Sequence, residues 1–237
     1  MPDDGKRQTE NGKPRLRICV PVVAANVNQA RNLYLRAARH GYWSEIRLDY
    51  LEQPDLQRIF RSRPGKVIAT NRPESEGGRW RGDEAERRRL LEEALALGVD
   101  CLDVELAADG AWRRDLWSRR GAARLILSWH DFTGTPEPAR LEAVLQEMLA
   151  AEGDILKIVT LAQAPDDNLR VLSLIPRAKA AGREIIAFCM GSLGKWSRVV
   201  APMLGSWLTF APFSKKGASA PGQMTVNEIR RAWKMVK

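Results

Sequence analysis

Short apolar runs alternate with helix-patterned segments about eight times along this chain, and that rhythm limits the fold more than any other feature. Strands are expected at 16–23, 43–49, 66–71, 99–105, 124–129, 154–160, 184–189 and 207–211. Between them lie helical patterns at 28–39, 83–97, 139–151 and 168–180, with a last one at 226–236. Asn26, Asp83 and Asp109 are suited to start helices, and Gly41, Gly98, Gly121, Gly153 and Gly182 to end them. Repeated strand–helix units over this length predict an α/β fold, a single-domain (β/α)8 TIM barrel over residues 15–237. An open doubly wound sheet is the alternative, although no GxGxxG follows the first strand.

The polar segment 1–14 has no apolar stretch of the kind a secretory signal needs, and it reads as a disordered leader. No apolar run reaches the roughly 18 residues of a membrane span. Cys19, Cys101 and Cys189 each sit in a strand-like run; an odd count without paired spacing favours buried, reduced thiols and a cytoplasmic setting. With two histidines and no CxxC or HExxH, a dedicated zinc site is not expected. The net charge of +9 raises the question of nucleic acid. However, the basic residues are interspersed with acids, as in RGDEAERRR at 81–89, and do not alternate with exposed aromatics. A solvated surface is the plain reading, and such a surface also steers small anions.

Side-chain alternation shows where the chemistry sits. In EIRLD, Glu45, Arg47 and Asp49 share one face and Ile46 and Leu48 the other. In a barrel the apolar face meets the helices, so the charged face points inward, where it must pair or bind something. The same phase turns Lys157 of DILKIVT inward with Ile155 and Val159. A lysine among aliphatic neighbours is expected to be desolvated, which favours the neutral amine, a nucleophile able to form a Schiff base. The plainer reading is a lysine reaching from a strand end to water. Lys157, His130, Arg72 and Asp49 all fall at or just past C-terminal strand ends, where barrel enzymes place their sites.

The loops add partners. TNRPESEGG at 70–78 carries an arginine, a nearby glutamate and two glycines, the makings of a shaped loop. His130 in SWHDF is a candidate general acid/base. His40, before Gly41, reads as a helix-dipole partner. In MGSLGKWSR, glycines permit close backbone approach, and Arg198 at a helix start suits a carboxylate clamp. The segment 212–223, with Ser219 and Gln223, has the composition of a lid that orders over a polar ligand.

Taken together, EIRLD, the Arg-x-x-x-Glu-Gly-Gly loop, SWHDF, the lysine of ILKIVT, MGxxGxxSR and SAPGQ resemble the type I 3-dehydroquinate dehydratases, from about residue 16 to 229. The resemblance implies a hydro-lyase that converts 3-dehydroquinate to 3-dehydroshikimate through a lysine Schiff base. This is the third step of the shikimate pathway to chorismate and the aromatic amino acids. It implies Lys157 as the Schiff-base lysine, His130 as the proton-transfer group and Glu76 as its orienting partner. Arg198 resembles the carboxylate clamp; Glu45, Arg47 and Arg72 resemble contacts to hydroxyls and the polar wall; Ser219 and Gln223 resemble lid contacts. Met190, Phe132 and Ala220 would supply apolar packing. No metal or organic cofactor, no nucleic-acid or membrane partner and a homodimer are also implied. The chain departs from the pattern at the first strand, where some members present a hydroxyl and this one has Cys19-Val-Pro21. The rivals are a class I aldolase, which also uses a lysine but cleaves a carbon–carbon bond, and a basic nucleic-acid-binding protein.

Overall fold

A computed structural model describes residues 9–10, 13–14 and 16–236. Eight parallel strands form the centre: β1 (Ile18–Val22), β2 (Trp43–Arg47), β3 (Val67–Thr70), β4 (Cys101–Glu105), β5 (Arg124–Asp131), β6 (Ile155–Leu161), β7 (Glu184–Met190) and β8 (Thr209–Phe210). Their spatial order is β8-β1-β2-β3-β4-β5-β6-β7, a sheet that curls until its edges meet. The seam is bridged just ahead of β8, where Trp207 N–H donates to Ile185 C=O at 2.7 Å. The barrel expected from the rhythm of the chain is therefore the fold. Of the leader expected over 1–14, residues 1–8, 11 and 12 lie outside the described residues, and Thr9–Glu10 pairs antiparallel with Lys13–Pro14.

Outside the barrel run α1 (Val27–Arg39), α2 (Leu56–Phe60), α3 (Glu84–Ala96), α4 (Gly110–Arg119), α5 (Pro138–Ala150), α6 (Asp167–Leu172), α7 (Leu174–Ala180), α8 (Ser197–Leu204) and α9 (Val226–Val236). The side chains of Asn26, Asp83 and Asp109 accept backbone N–H bonds at the starts of α1, α3 and α4, as their residue type suggests. Gly41, Gly98, Gly121 and Gly182 end helices with positive φ. Gly153 does not; a Cβ there would stand 3.0 Å from Leu127 Cβ, so its role is close packing. The single helix expected at 168–180 is broken at Ser173. Pro176 supplies the reason, since it has no N–H for the Leu172 carbonyl and its ring crowds that group.

The apolar face of each strand packs against the helices: Ile46 and Leu48 lie in one buried cluster, Leu156 and Ile158 in another. On the opposite phase, Cys19, Ile68, Cys101, Ile126, Ile155 and Ile186 are fully buried and fill the barrel below the charged layer. On α3 the arginines pair with acids of the same helix, Arg88 with Glu84 and Arg89 with Glu86, so part of the basic surplus is neutralised locally.

Candidate active site

Nine side chains singled out from the sequence line one cavity at the C-terminal mouth of the barrel: Glu45, Arg47, Arg72, Glu76, His130, Lys157, Arg198, Ser219 and Gln223. Phe132, Met190 and Ala220 line it too, together with Phe188 and Phe210, which sequence reasoning passed over. β1 contributes no wall residue; Cys19 is fully buried beneath, so no hydroxyl comes from this strand.

Lys157 lies mid-strand on β6 and its Nζ points into the cavity. It is buried, but not isolated as its sequence context suggested. Nζ donates to Asp103 Oδ2 at 2.8 Å, lies 3.6 Å from Glu45 Oε1 and sits 4.7 Å from the Phe210 ring centroid. Asp103 thus gives the amine a fixed partner inside the barrel. Glu45 is itself held by Thr70, whose Oγ1 donates to Oε1 at 3.1 Å.

Arg72, just past β3, spans the floor of the site. Its Nη1 donates to Glu105 Oε1 at 2.6 Å and to Ser128 Oγ at 2.7 Å, and its Nη2 to Asp103 Oδ1. These carboxylates hold its pKa above the ordinary arginine value despite burial. Behind it, Arg87 of α3 donates to Glu105 Oε2 at 2.8 Å and to Asn71 C=O at 2.9 Å. Asp103, Glu105, Ser128 and Arg87 were not singled out from sequence. The alternation of CLDVE was the available signal, since it turns Asp103 and Glu105 inward together with Cys101.

The loop after β3 presents Glu76 at the end of a 3-10 turn (Glu74–Glu76). Both glycines that follow are required sterically. Gly77 adopts φ 71°, and a Cβ there would come 2.1 Å from the Phe132 ring; a Cβ on Gly78 would come 1.9 Å from Arg72 C=O. So compacted, the loop sets Glu76 Oε2 2.8 Å from His130 Nδ1 and 3.9 Å from Arg72 Nη1. Burial pushes the Glu76 carboxyl up to about 7, against the pull of Arg72. Burial, then Arg72 and Lys157, push His130 well below the usual histidine value, so the ring is a neutral base. Phe132 stacks beside that ring at 6.1 Å.

Asp49 falls just past a strand end as expected, but it does not line the cavity. β2 ends at Arg47, and Asp49 lies in the 3-10 turn Leu48–Tyr50, outside the cavity wall. There it takes two bonds from Arg47, at 2.8 and 2.6 Å, and one from Arg79 N–H at 3.0 Å, tying β2 to the Glu76 loop. His40 sits at the C-cap of α1, where its backbone N–H donates to Ala37 C=O, and its ring stacks on Tyr42 at 5.8 Å.

Arg198 stands in the first turn of α8, over the Phe188 ring at 4.4 Å. Pro202 cannot donate to the Arg198 carbonyl one turn back, and Thr209 Oγ1 of β8 takes that place at 2.9 Å. The guanidinium is 1 % exposed, its Nε and Nη1 have no partner, and Nη2 makes one long bond of 3.4 Å to Pro221 C=O. Burial without a counter-charge pushes its pKa down to about 10. A buried, unpaired, forked donor has the chemistry to receive a carboxylate.

Over the mouth lies the segment bearing Ser219 and Gln223. Gln223 Oε1 accepts from Ser219 N–H at 2.9 Å, and its Nε2 donates to Ser219 Oγ at 3.2 Å. Pro221 C=O accepts from Gly191 N–H at 3.2 Å, and Gly222, at φ 74°, passes so close that a Cβ would sit 2.1 Å from Gly191 C=O. Among the described residues no cluster of three or more His, Cys, Asp or Glu could hold a metal ion, and no helix is long and apolar enough to cross a membrane.

Comparison with known proteins sets this geometry in context. The family model described as type I 3-dehydroquinase matches residues 18–237. A 3-dehydroquinate dehydratase of Methanosarcina acetivorans is 38 % identical over 204 residues, 81 % of this chain and 84 % of the relative. That of Methanosarcina barkeri is 36 % identical over 91 % of this chain and 94 % of its own. Among solved structures, the 3-dehydroquinate dehydratase of Geobacillus kaustophilus superposes with a TM-score of 0.83 at 28 % identity, covering 94 % of this chain and 91 % of that one. The type I enzyme of Clostridium difficile, solved with covalent modified comenic acid, has a TM-score of 0.84 at 25 % identity, covering 95 % and 93 %.

Proposed function

Since the chain belongs to the type I 3-dehydroquinase family, hydro-lyases that dehydrate 3-dehydroquinate in the shikimate pathway, we propose that it does so through a Schiff base on Lys157. The observation that carries this reading is that a lysine amine, a neutral histidine and an unpaired buried arginine face one cavity. An aldolase would share the lysine, but the free guanidinium favours a carboxylic acid substrate.

Arg198 takes the substrate carboxylate, while Glu45, Arg47 and Arg72 meet its hydroxyls and Ser219 and Gln223 cover it. Lys157 gives up a proton from its ammonium and attacks the ring ketone as the amine. The carbonyl oxygen leaves as water, with that proton and a second one from the nitrogen, as the iminium forms. A ketone acidifies its neighbouring carbon weakly, and a protonated imine does so far better. His130 then removes a proton from that carbon through Nε2, the nitrogen that Glu76 leaves free. The electron pair moves into an enamine and returns to expel the tertiary hydroxyl, which takes the His130 proton and departs as water. A further water hydrolyses the product imine, releasing 3-dehydroshikimate and Lys157. Fixing the carboxylate starts the reacting atoms near attack geometry.

A reducing, cytoplasmic setting is part of the proposal, supported by three free and buried cysteines. So is the homodimer of the family, which sedimentation would test. The test of the mechanism is borohydride reduction with 3-dehydroquinate, followed by intact-mass measurement and peptide mapping. A reduced adduct on Lys157 is expected. Dehydration without any adduct would overturn the covalent route.

A further inference from the structure

The carboxylate nearest the reacting nitrogen belongs to Asp103, a residue with no role in the mechanism above. Asp103 is wholly buried on β4, and three donors from three different elements converge on it. Arg72 Nη2 and Ser128 Oγ, the latter at 2.6 Å, occupy Oδ1, which leaves Oδ2 directed at Lys157 Nζ, 2.8 Å away. We infer that Asp103 is the counter-ion of the covalent nitrogen, pairing the Lys157 ammonium before attack and the iminium after it. The inference rests on the Schiff-base reading and extends it to a residue that touches the reacting atom.

The charge balance explains why such a group is needed. Ammonium plus ketone gives iminium plus water: a carbon–nitrogen bond forms, the carbon–oxygen bonds break, and two of the three ammonium protons leave with the oxygen. Nζ therefore carries one positive charge on either side of the step. In a desolvated site each of those cations needs a fixed partner, and a partner that does not titrate serves both. Arg72 and Lys157 hold Asp103 well below the ordinary carboxylate range against the cost of burial, so it stays ionised throughout. Other groups face Nζ less favourably. Glu45 of β2 is 3.6 Å away and shares its oxygen with Thr70. His130 of β5 is neutral, Cys19 of β1 is a thiol kept protonated by burial, and Phe210 of β8 offers only its ring face. Among the described residues, Arg72 is the further cation bonded to Asp103 and remains charged.

The test compares the wild-type enzyme with Asp103→Asn, Asp103→Glu and Ser128→Ala. For each, the fraction of enzyme reduced to an adduct by borohydride with 3-dehydroquinate is followed against pH by intact mass, beside kcat and KM. In Asp103→Asn the trapped fraction is expected to fall by ~30-fold or more, as when one partner of a buried charge pair is removed. The midpoint of the trapping curve should move to lower pH, because the ammonium has lost its carboxylate. Ser128→Ala removes a neutral donor, and Asp103→Glu keeps the charge; both should retain the wild-type midpoint even if kcat falls. An Asp103→Asn enzyme with the wild-type fraction and midpoint would overturn the counter-ion role while leaving the Schiff base intact. So would a folded Asp103→Glu enzyme whose midpoint has shifted. A wild-type enzyme that turns over without any adduct would overturn both together.

Discussion

Glu76 Oε2 and His130 Nδ1 lie 2.8 Å apart across a sequence separation of 54 residues, and this contact sets which ring nitrogen faces the substrate. With Glu76 ionised, Nδ1 donates its proton and Nε2 keeps a lone pair for the cavity. With Glu76 protonated, the carboxyl donates to Nδ1 and the ring proton moves to Nε2, the wrong tautomer for a base. The Glu76 carboxyl titrates at about 7, so kcat/KM should be full above that pH and fall as the pH drops through it. Glu76→Gln cannot ionise and should lower the plateau and abolish this acid limb. A limb that persists in Glu76→Gln would assign the titration elsewhere.

Lys157→Ala should abolish turnover and borohydride trapping, with substrate still bound in calorimetry through Arg198 and the polar wall. His130→Ala should lower kcat by about 10²–10⁴-fold while still yielding a trapped imine, because the histidine acts on protons rather than on the carbon–nitrogen bond. Turnover near the wild-type rate in either variant would remove that residue from the mechanism.

Arg198 is unpaired and buried, which predicts a trade between stability and binding. Arg198→Met should raise the melting temperature of the free enzyme, since a desolvated cation is replaced by an apolar chain of similar length. The same change should raise KM by about 10- to 100-fold, the worth of a charge-assisted hydrogen-bonding pair. A lowered melting temperature would mean that the guanidinium stabilises the fold rather than waiting for an anion.

Gly222 sits at φ 74°, with Gly191 C=O where its Cβ would be. Gly222→Ala should prevent the 212–223 segment from seating over the mouth, and Ser219 and Gln223 would move with it. KM should rise and kcat should fall, while the melting temperature changes little because the segment contributes little core. Unchanged kinetics would show that the segment need not seat for turnover.

The barrel was legible from the chain because strand and helix periods differ, and because the alternation in EIRLD and ILKIV leaves charged side chains on the one face that the helices do not cover. The nine cavity residues were legible from the same pattern: Glu45, Arg47 and Lys157 by their inward phase along β2 and β6, His130 near the end of β5, and Arg72, Glu76, Arg198, Ser219 and Gln223 in segments beyond strand ends. Helices α2 and α8 were harder to read: α2 is five residues long, and α8 contains Pro202, so neither shows a long period. The break at Ser173 was written in Pro176 but masked by apolar residues on both sides.

What the sequence determined by itself is which side chains face inward, since alternation along a strand is a local property of the backbone. What only the tertiary structure decided is which of them meet. Lys157 was read as an isolated amine, and the fold places it on Asp103, 54 residues away; Arg72 reaches Glu105 and Ser128, and Arg87 enters from α3. These pairings depend on the register of neighbouring strands and on the curl that closes β8 against β7. Such contacts are non-local, and their electrostatic consequence, a fully paired cluster of charges beneath one unpaired arginine, exists only once the barrel has excluded water from its interior.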